Sequence, residues 1–172
     1  DEGFIAVALD YRVGYRKGNG NDCESDTTGR SEATYRAMQD THSCMRFLVA
    51  HADEYNIDTS KLFIGGSSAG ADLSMQFAYV NDSIARNEAY VPAYQKLGSL
   101  ESTGNTLTNT FTMKGIVCMW GESEKDKWID TSYRAYPTII FKGALDNGLP
   151  DSMGHFKDCP NYEILFAGQG IY

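Results

Sequence analysis

Long apolar runs are missing from this chain of 172 residues, and so is any excess of basic charge. No stretch approaches the roughly 20 apolar residues that a membrane-spanning helix requires, and no basic-then-apolar leader opens the sequence. Lysine and arginine number 15 against 23 aspartates and glutamates, which gives a formal net charge of -8. An acidic chain is poorly suited to nucleic acids or anionic lipid surfaces. The composition therefore predicts no membrane span and no nucleic-acid partner.

Cysteine is also scarce, and its spacing is irregular. The four cysteines, Cys23, Cys44, Cys118 and Cys159, include no Cys-x-x-Cys pair. Because structural zinc sites use closely spaced ligands, we predict no metal site. An even number of cysteines permits disulfides without indicating which residues pair.

The most specific pattern in the chain is Gly66-Ser67-Ser68-Ala69-Gly70. An apolar run over 61–65 precedes it and an amphipathic stretch over 71–79 follows, which predicts a strand, a tight turn and a helix. In that context Gly-x-Ser-x-Gly is a nucleophile elbow, with Ser68 as the candidate nucleophile. The two glycines leave room for strand and helix to pass closely. The amide of Ala69, in the first helical turn, is the candidate oxyanion donor. A Gly/Ser-rich loop before a helix, as any α/β protein can have, is the alternative.

The rest of the chain alternates apolar runs with helical patterns, at a length that suits one domain. Residues 2–12, 114–121 and 137–143 read as strands buried in a parallel sheet. A surface loop is predicted from Gly14 to Arg30, followed by a long amphipathic helix from Ser31 to Tyr55 with Ser31 as its cap. Strands separated by helices imply right-handed crossovers and a parallel sheet.

Asp146 lies in the loop 143–150, directly after the last of these strands. Open α/β sheets place their functional groups at the carboxyl ends of strands, so Asp146 is a candidate catalytic acid. An aspartate before Asn-Gly is also ordinary turn chemistry, and both interpretations stay open. The irregular, polar segment around 81–113 is either a cap over the site or a long surface excursion.

Together these residues resemble the α/β-hydrolase fold, and within it the carboxylesterase/lipase-like esterases of bacteria. The resemblance covers most of the chain and is weakest over about 81–105. The matching segments are Val7-Ala8-Leu9-Asp10-Tyr11-Arg12, Tyr35 to Asp40 with Arg46-Phe47-Leu48, Ile64 to Gly70, Met119-Trp120-Gly121, and Asp146 with Leu149-Pro150.

The resemblance implies a three-layer α/β sandwich with a mostly parallel sheet. It implies a single, incomplete domain over 1–172 that lacks amino- and carboxyl-terminal elements, with a cap-like insertion around 81–113. It also implies a serine carboxylic-ester hydrolase that forms an acyl-enzyme on small acyl esters without a metal or organic cofactor. Ser68 would be the nucleophile, Ala69 an oxyanion-hole donor, and Asp146 the acid that orients a histidine. The resemblance implies that the protein is periplasmic or secreted, and a cytoplasmic location is the alternative.

The chain departs from that family in two respects. The His-Gly-Gly-type loop that usually precedes the first strand is not in the sequence. Relatives also carry the catalytic histidine after a further helix and strand, and residues 168–172 look like the start of that helix. We therefore expect the histidine beyond Tyr172, His155 at the rim of the site, and no activity from these 172 residues alone. A non-catalytic binding module on the same fold and a serine peptidase are the alternatives.

Overall fold

A three-stranded parallel sheet forms the centre of the molecule. The computed structural model describes residues 3–16, 22–123, 136–162 and 164–166. Strands β1 (Leu62–Ser67), β2 (Met113–Met119) and β3 (Thr138–Phe141) lie in the order β1-β2-β3. Three of the predicted strands and the α/β class are thereby confirmed. A complete three-layer sandwich stays a prediction.

Helix α1 (Thr27–Ala50) is the longest element, and the short helix α2 (Ala52–Tyr55) follows it. Helix α1 begins earlier than predicted, because the carboxylate of Asp26 accepts a hydrogen bond of 2.9 Å from the amide of Gly29. Asp26 is therefore the cap, and the prediction of Ser31 was wrong. Both residue types cap helices well, so the cap could not be chosen from residue type alone.

The buried face of the sheet lies under α3 (Ala69–Tyr79) and α1. The core on this face includes Leu62, Ile116 and Cys118 of the strands, Leu73, Met75 and Phe77 of α3, and Met38 and Met45 of α1. Full burial of one such side chain stabilises the fold by about 1.5–3 kcal/mol. On the other face Phe63, Ile139 and Phe141 are exposed. Within the described ranges, helices thus cover one face of the sheet.

The segment 3–16 is not the buried strand that its apolar run predicts. Residues 3–16 do not form a strand, and the side chain of Phe4 is 76% exposed. A cavity of about 760 Å³ separates this segment from β1, so the two backbones form no ladder. The segment is held instead at its end, where the Arg12 guanidinium donates to Asp40 of α1 at 2.9 Å. A buried parallel strand needs hydrogen-bonded neighbours, and the described residues supply none here.

Residues 81–112 connect α3 to β2 and pack against α1. They contain α4 (Asp82–Ile84), a π-helical turn (Ala85–Ala89) and α5 (Val91–Leu97). The hydroxyl of Tyr35 donates to the carbonyl of Gly98 at 2.7 Å, and the ring of Tyr35 lies 5.7 Å from that of Tyr90. That this segment is a cap, and that 1–172 form one domain, both remain predictions.

The carboxyl-terminal part adds a small antiparallel pair, β4 (Met153–His155) and β5 (Ile164–Phe166), with a 3-10 turn (Phe156–Asp158) after β4. A second 3-10 turn (Asp22–Glu24) precedes α1. The interpretation of 168–172 as a helix start lies outside the described residues. None of the helices in the described ranges has the length and apolar character needed to cross a membrane.

Candidate functional site

Ser68 occupies a strained junction between β1 and α3. Its backbone has φ 52° and ψ −126°, a positive φ that residues other than glycine rarely adopt. The amide of Ser68 donates to the carbonyl of Met119 at 3.0 Å. Its carbonyl accepts from the amides of Ala71 (2.8 Å) and Asp72 (3.1 Å). Strain of about 1–3 kcal/mol persists only where surrounding contacts fix the conformation, and here β2 and the first turn of α3 fix it.

Of the two glycines that flank Ser68, one is required by packing. A Cβ on Gly66 would lie 2.4 Å from the carbonyl carbon of Gly70, so strand and helix backbones leave no space for a side chain. A Cβ on Gly70 would meet nothing within 4 Å. The prediction that both glycines supply room is right for Gly66 and wrong for Gly70.

The amide of Ala69 lies at the amino terminus of α3. The first amides of a helix have no partner within it, and the helix dipole makes that end electropositive. Ser68 and Ala69 are both exposed at the carboxyl edge of the sheet. The strand, turn and helix therefore present a hydroxyl and a neighbouring amide together at an accessible edge.

The loop after β2 lies against this turn. Trp120 has φ 42°, and its amide donates to the carbonyl of Phe141 at 2.6 Å. A Cβ on Gly121 would lie 2.3 Å from the Cβ of Ala71, which shows how closely the loop approaches α3. The amide of Glu122 donates to Oδ1 of Asp72 at 2.7 Å. The loop is thereby fixed to β3 and to the first turn of α3.

Arg30 of α1 also reaches this loop. Its guanidinium lies 3.3 Å from the buried carboxylate of Glu122 and 4.8 Å from the centre of the Tyr162 ring. Sequence reasoning missed the pair, and no local pattern could have revealed it, because the two residues are 92 positions apart.

Asp146 lies where the sequence predicts, in the loop after β3. Its Oδ1 accepts from the amides of Gly148 (2.8 Å) and Leu149 (3.3 Å), so the prediction of turn chemistry is confirmed. For Oδ2 the described residues provide no hydrogen-bond partner. Turn formation by one oxygen leaves the other available, and the catalytic role of Asp146 stays a prediction.

The three histidines of the chain have other partners. Nδ1 of His155 lies 2.7 Å from the carbonyl oxygen of Tyr162, and Nδ1 of His51 lies 3.1 Å from Glu54. Nδ1 of His42 lies 2.6 Å from Glu101. In the part of the chain that the structure describes, no histidine is hydrogen-bonded to Ser68 or Asp146. Among the described residues, none of the histidines is thus placed to act as a base for Ser68.

His42 is packed between aromatic rings at the opposite end of α3, near Phe77 and Phe111. Burial lowers the pKa of His42 below its ordinary value, and the nearby charge of Arg46 acts in the same direction. The carboxylates of Glu101 and Asp82 oppose that effect without reversing it. Its Nε2 is buried and, among the described residues, has no hydrogen-bond partner.

A disulfide joins Cys23, just before α1, to Cys159, just after the 3-10 turn 156–158. The side-chain amide of Asn161 also donates to the carbonyl of Cys23. Cys44 and Cys118 are free thiols, and burial raises the pKa of Cys118 to about 11. The described residues contain no cluster of three or more histidine, cysteine, aspartate or glutamate side chains able to hold a metal ion.

Comparison with known proteins bears on this geometry. Neither curated proteins nor solved structures gave a match. A family model described as BD-FAE matches residues 27–138, about two thirds of the chain. The matched region contains α1, the Ser68 turn and β2, and ends before Asp146. The predicted resemblance to hydrolase-fold esterases is thereby confirmed. The chain belongs to the BD-FAE family, within the α/β-hydrolase esterase superfamily.

Proposed function

We propose that this protein is a serine carboxylic-ester hydrolase that acts on small acyl esters through an acyl-enzyme. The observation that carries the proposal is the backbone conformation of Ser68. This residue lies between a strand and the amino terminus of a helix, and its φ is 52°. A nucleophile elbow needs this conformation, because it exposes the hydroxyl at the tip of the turn. Membership of an esterase superfamily supports the same reading.

In the proposed reaction, Oγ of Ser68 attacks the ester carbonyl carbon and passes its proton to a base. The tetrahedral oxyanion accepts a hydrogen bond from the amide of Ala69, and one such donor contributes roughly 2.7–4 kcal/mol. The C–O bond then breaks, and the alcohol leaves with the proton that the base held. Water hydrolyses the acyl-enzyme by the same steps and regenerates Ser68. The reaction as written uses no metal or organic cofactor.

We assign Asp146 as the acid that orients the base. Its position after a strand end supports this role, as does the oxygen that the turn leaves available. A carboxylate in this role keeps the histidine in the correct tautomer and stabilises its charged form.

A non-catalytic binding module on the same fold is the second candidate. The histidine contacts favour it, since His42, His51 and His155 are each bonded to groups other than Ser68 and Asp146. Without a base, the hydroxyl of Ser68 remains protonated and unreactive.

We further propose a periplasmic or extracellular location. The Cys23–Cys159 disulfide supports it, because disulfides persist mainly in oxidising compartments. Fractionation of the native host tests this: recovery of the protein in the cytoplasmic fraction with all cysteines reduced would contradict the location.

The decisive experiment is labelling with a fluorophosphonate probe, which reacts with activated serines, on the full-length protein. Ser67 offers a matched control, because it is the adjacent residue and is also exposed. We expect Ser67→Ala to be labelled on Ser68, and Ser68→Ala to be unlabelled and inactive on p-nitrophenyl acetate. Labelling of Ser68→Ala at wild-type level would refute the assignment.

Asp146→Asn tests the acid. We expect turnover to fall by several orders of magnitude, about 10⁴ in the best-studied triad. A loss below tenfold would leave Asp146 with its turn role alone. If the full-length protein is neither labelled nor active, the binding module is the better assignment.

A further inference from the structure

Asp72, in the first turn of α3, is joined to Ser68 and to the loop after β2 by separate hydrogen bonds. Its backbone amide donates to the carbonyl of Ser68 at 3.1 Å. Its carboxylate oxygen Oδ1 accepts from the amide of Glu122 at 2.7 Å. The helix dipole favours any acid in a first helical turn, whichever way the side chain points. The bond to a residue 50 positions away shows that this carboxylate also has a partner outside its own helix.

Together these bonds close a ring around Ser68. The amide of Ser68 donates to the carbonyl of Met119 at 3.0 Å, and the chain then runs from Met119 through the loop to Glu122. The amide of Glu122 bonds to the carboxylate of Asp72, and the amide of Asp72 returns to the carbonyl of Ser68. That carboxylate is the one side-chain group in the ring, because the other members are backbone groups. A substitution of Asp72 therefore opens the ring while its backbone bonds can still form.

Closure of the ring affects the strained conformation of Ser68, whose φ is 52°. Strain of this kind persists only where surrounding contacts leave the residue no alternative. The bond to Met119 fixes Ser68 to β2, and the bond between Asp72 and Glu122 fixes the first turn of α3 to the loop that follows β2. If the second bond is lost, α3 can shift relative to β2 and the turn at Ser68 can relax.

We propose that Asp72 is a positioning residue, whose carboxylate holds the first turn of α3 against the loop after β2 and so keeps Oγ of Ser68 and the amide of Ala69 aligned for reaction. This inference rests on the proposed ester hydrolase function. Asp72 acts through Glu122 and α3, and what it supplies is an acceptor oxygen at a fixed place. Its loss misaligns groups that act in the transition state, so kcat falls and KM stays nearly constant.

The test substitutes Asp72 in the full-length protein, with p-nitrophenyl acetate as the substrate. Asp72→Ala removes the acceptor, and Asp72→Glu keeps the charge but displaces the carboxylate by one methylene. We expect kcat to fall roughly ten- to a hundredfold in both variants, with KM changed by less than about twofold. Asp72→Asn keeps an acceptor oxygen at the same position and is expected to retain kcat within about threefold. If Asp72→Ala does not fold, the comparison of Asp72→Glu with Asp72→Asn decides the same point.

Asp82 provides a matched control for a loss that is only structural. It also lies in a first helical turn, and its Oδ1 accepts from the amide of a distant loop residue, Leu100, at 2.8 Å. Asp82 follows the carboxyl end of α3, whereas Ser68 lies at the amino end. Asp82→Ala is therefore expected to lower the free energy of unfolding, as Asp72→Ala does, but to leave kcat unchanged.

Several results would overturn the role of Asp72. They are a wild-type kcat in Asp72→Glu, a loss in Asp72→Asn as large as that in Asp72→Glu, and a rise in KM without a loss of kcat. An equal loss of kcat in Asp82→Ala would also overturn it, because lower stability alone would then explain the effect.

Fluorophosphonate labelling of the wild type separates this inference from the proposed function. If the wild type is neither labelled nor active, both proposals are overturned. If Ser68 of the wild type is labelled and active, any of the contrary results above overturns the role of Asp72 alone.

Discussion

Removal of the Cys23–Cys159 disulfide is expected to be one of the most damaging changes to the stability of this fold. The two cysteines are separated by 136 positions, so the bond closes a loop that spans most of the chain. In the chain-entropy model, a cross-link over a loop of this length restricts the unfolded state by about 5 kcal/mol. Measured losses for native disulfides are typically about 2–5 kcal/mol. Since domains are stable by only about 5–15 kcal/mol, the loss is a large fraction of the total.

Alanine is the better replacement for these cysteines. Cys159 is 1% exposed, and a buried serine hydroxyl without a partner would cost a further 1–3 kcal/mol or so. The assay is urea unfolding followed by tryptophan fluorescence. Because either single substitution breaks the same bond, Cys23→Ala, Cys159→Ala and the double variant are expected to lose nearly equal free energy of unfolding, about 3–5 kcal/mol. The Cys44→Ala control removes a free thiol and is expected to lose much less.

Thiol titration provides an independent check on the bond. In urea without reductant, the two free cysteines, Cys44 and Cys118, are expected to react, and all four after reduction. Four reactive thiols before reduction would refute the disulfide. A double variant that unfolds within about 1 kcal/mol of the parent would refute the energetic reasoning. The energetic reasoning would also be refuted if the loss in the double variant equalled the sum of the losses in the two single variants. Additive losses would reflect local packing at each cysteine rather than one shared bond.

Two further predictions concern the glycines of the Ser68 turn and the buried histidine. Gly66→Ala is expected to lower the free energy of unfolding by about 1–3 kcal/mol, because its Cβ overpacks the turn. Gly70→Ala has open space around its Cβ and is expected to be neutral or stabilising by up to about 1 kcal/mol. Equal losses for the two variants in urea unfolding would contradict this difference. Because the pKa of His42 is lowered in the folded state, the unfolded chain binds more protons below its ordinary value near 6.5. Stability is therefore complete above that pH and falls as the pH drops from there toward the folded pKa. This decline is expected to disappear in His42→Phe and to persist in the partly exposed control His51→Gln. Identical pH profiles for wild type and His42→Phe would rule out His42 as its source.

Local patterns predicted most of the sheet and the Ser68 turn. The periodicity of 61–79 is set by residues close together in sequence, and the strand, the turn and α3 all form there. The steric demand on Gly66 could be argued in advance, because a tight turn between strand and helix leaves no space. The open space around a Cβ on Gly70 could not be predicted in the same way, because it depends on how α3 packs.

Features that depend on distant partners could not be predicted in this way. Residues 4–9 have the composition of a buried strand, but composition cannot guarantee the hydrogen-bonded neighbours that a strand needs. The Cys23–Cys159 pairing and the Arg30–Glu122 ion pair join residues far apart in the chain. For Asp146, the pattern allowed both a turn residue and a catalytic acid, and the turn contacts do not separate the two roles.

The candidate site is stiffened by continuation of the strand ladder beyond the strands themselves. The amide of Ser68 bonds to β2 through Met119, and the amide of Trp120 bonds to β3 through Phe141. Each strained residue is thereby fixed by the neighbouring strand, so its conformation depends on the sheet rather than on a loop. Groups that are already fixed in position lose little conformational freedom when substrate binds. Their interactions can therefore stabilise the transition state without a cost for reorganising the site. By contrast, the described contacts of Asp146 are to its own loop, whose amide and carbonyl groups hold it. Of the proposed catalytic groups, the acid is therefore the one whose position depends on its own loop rather than on the sheet.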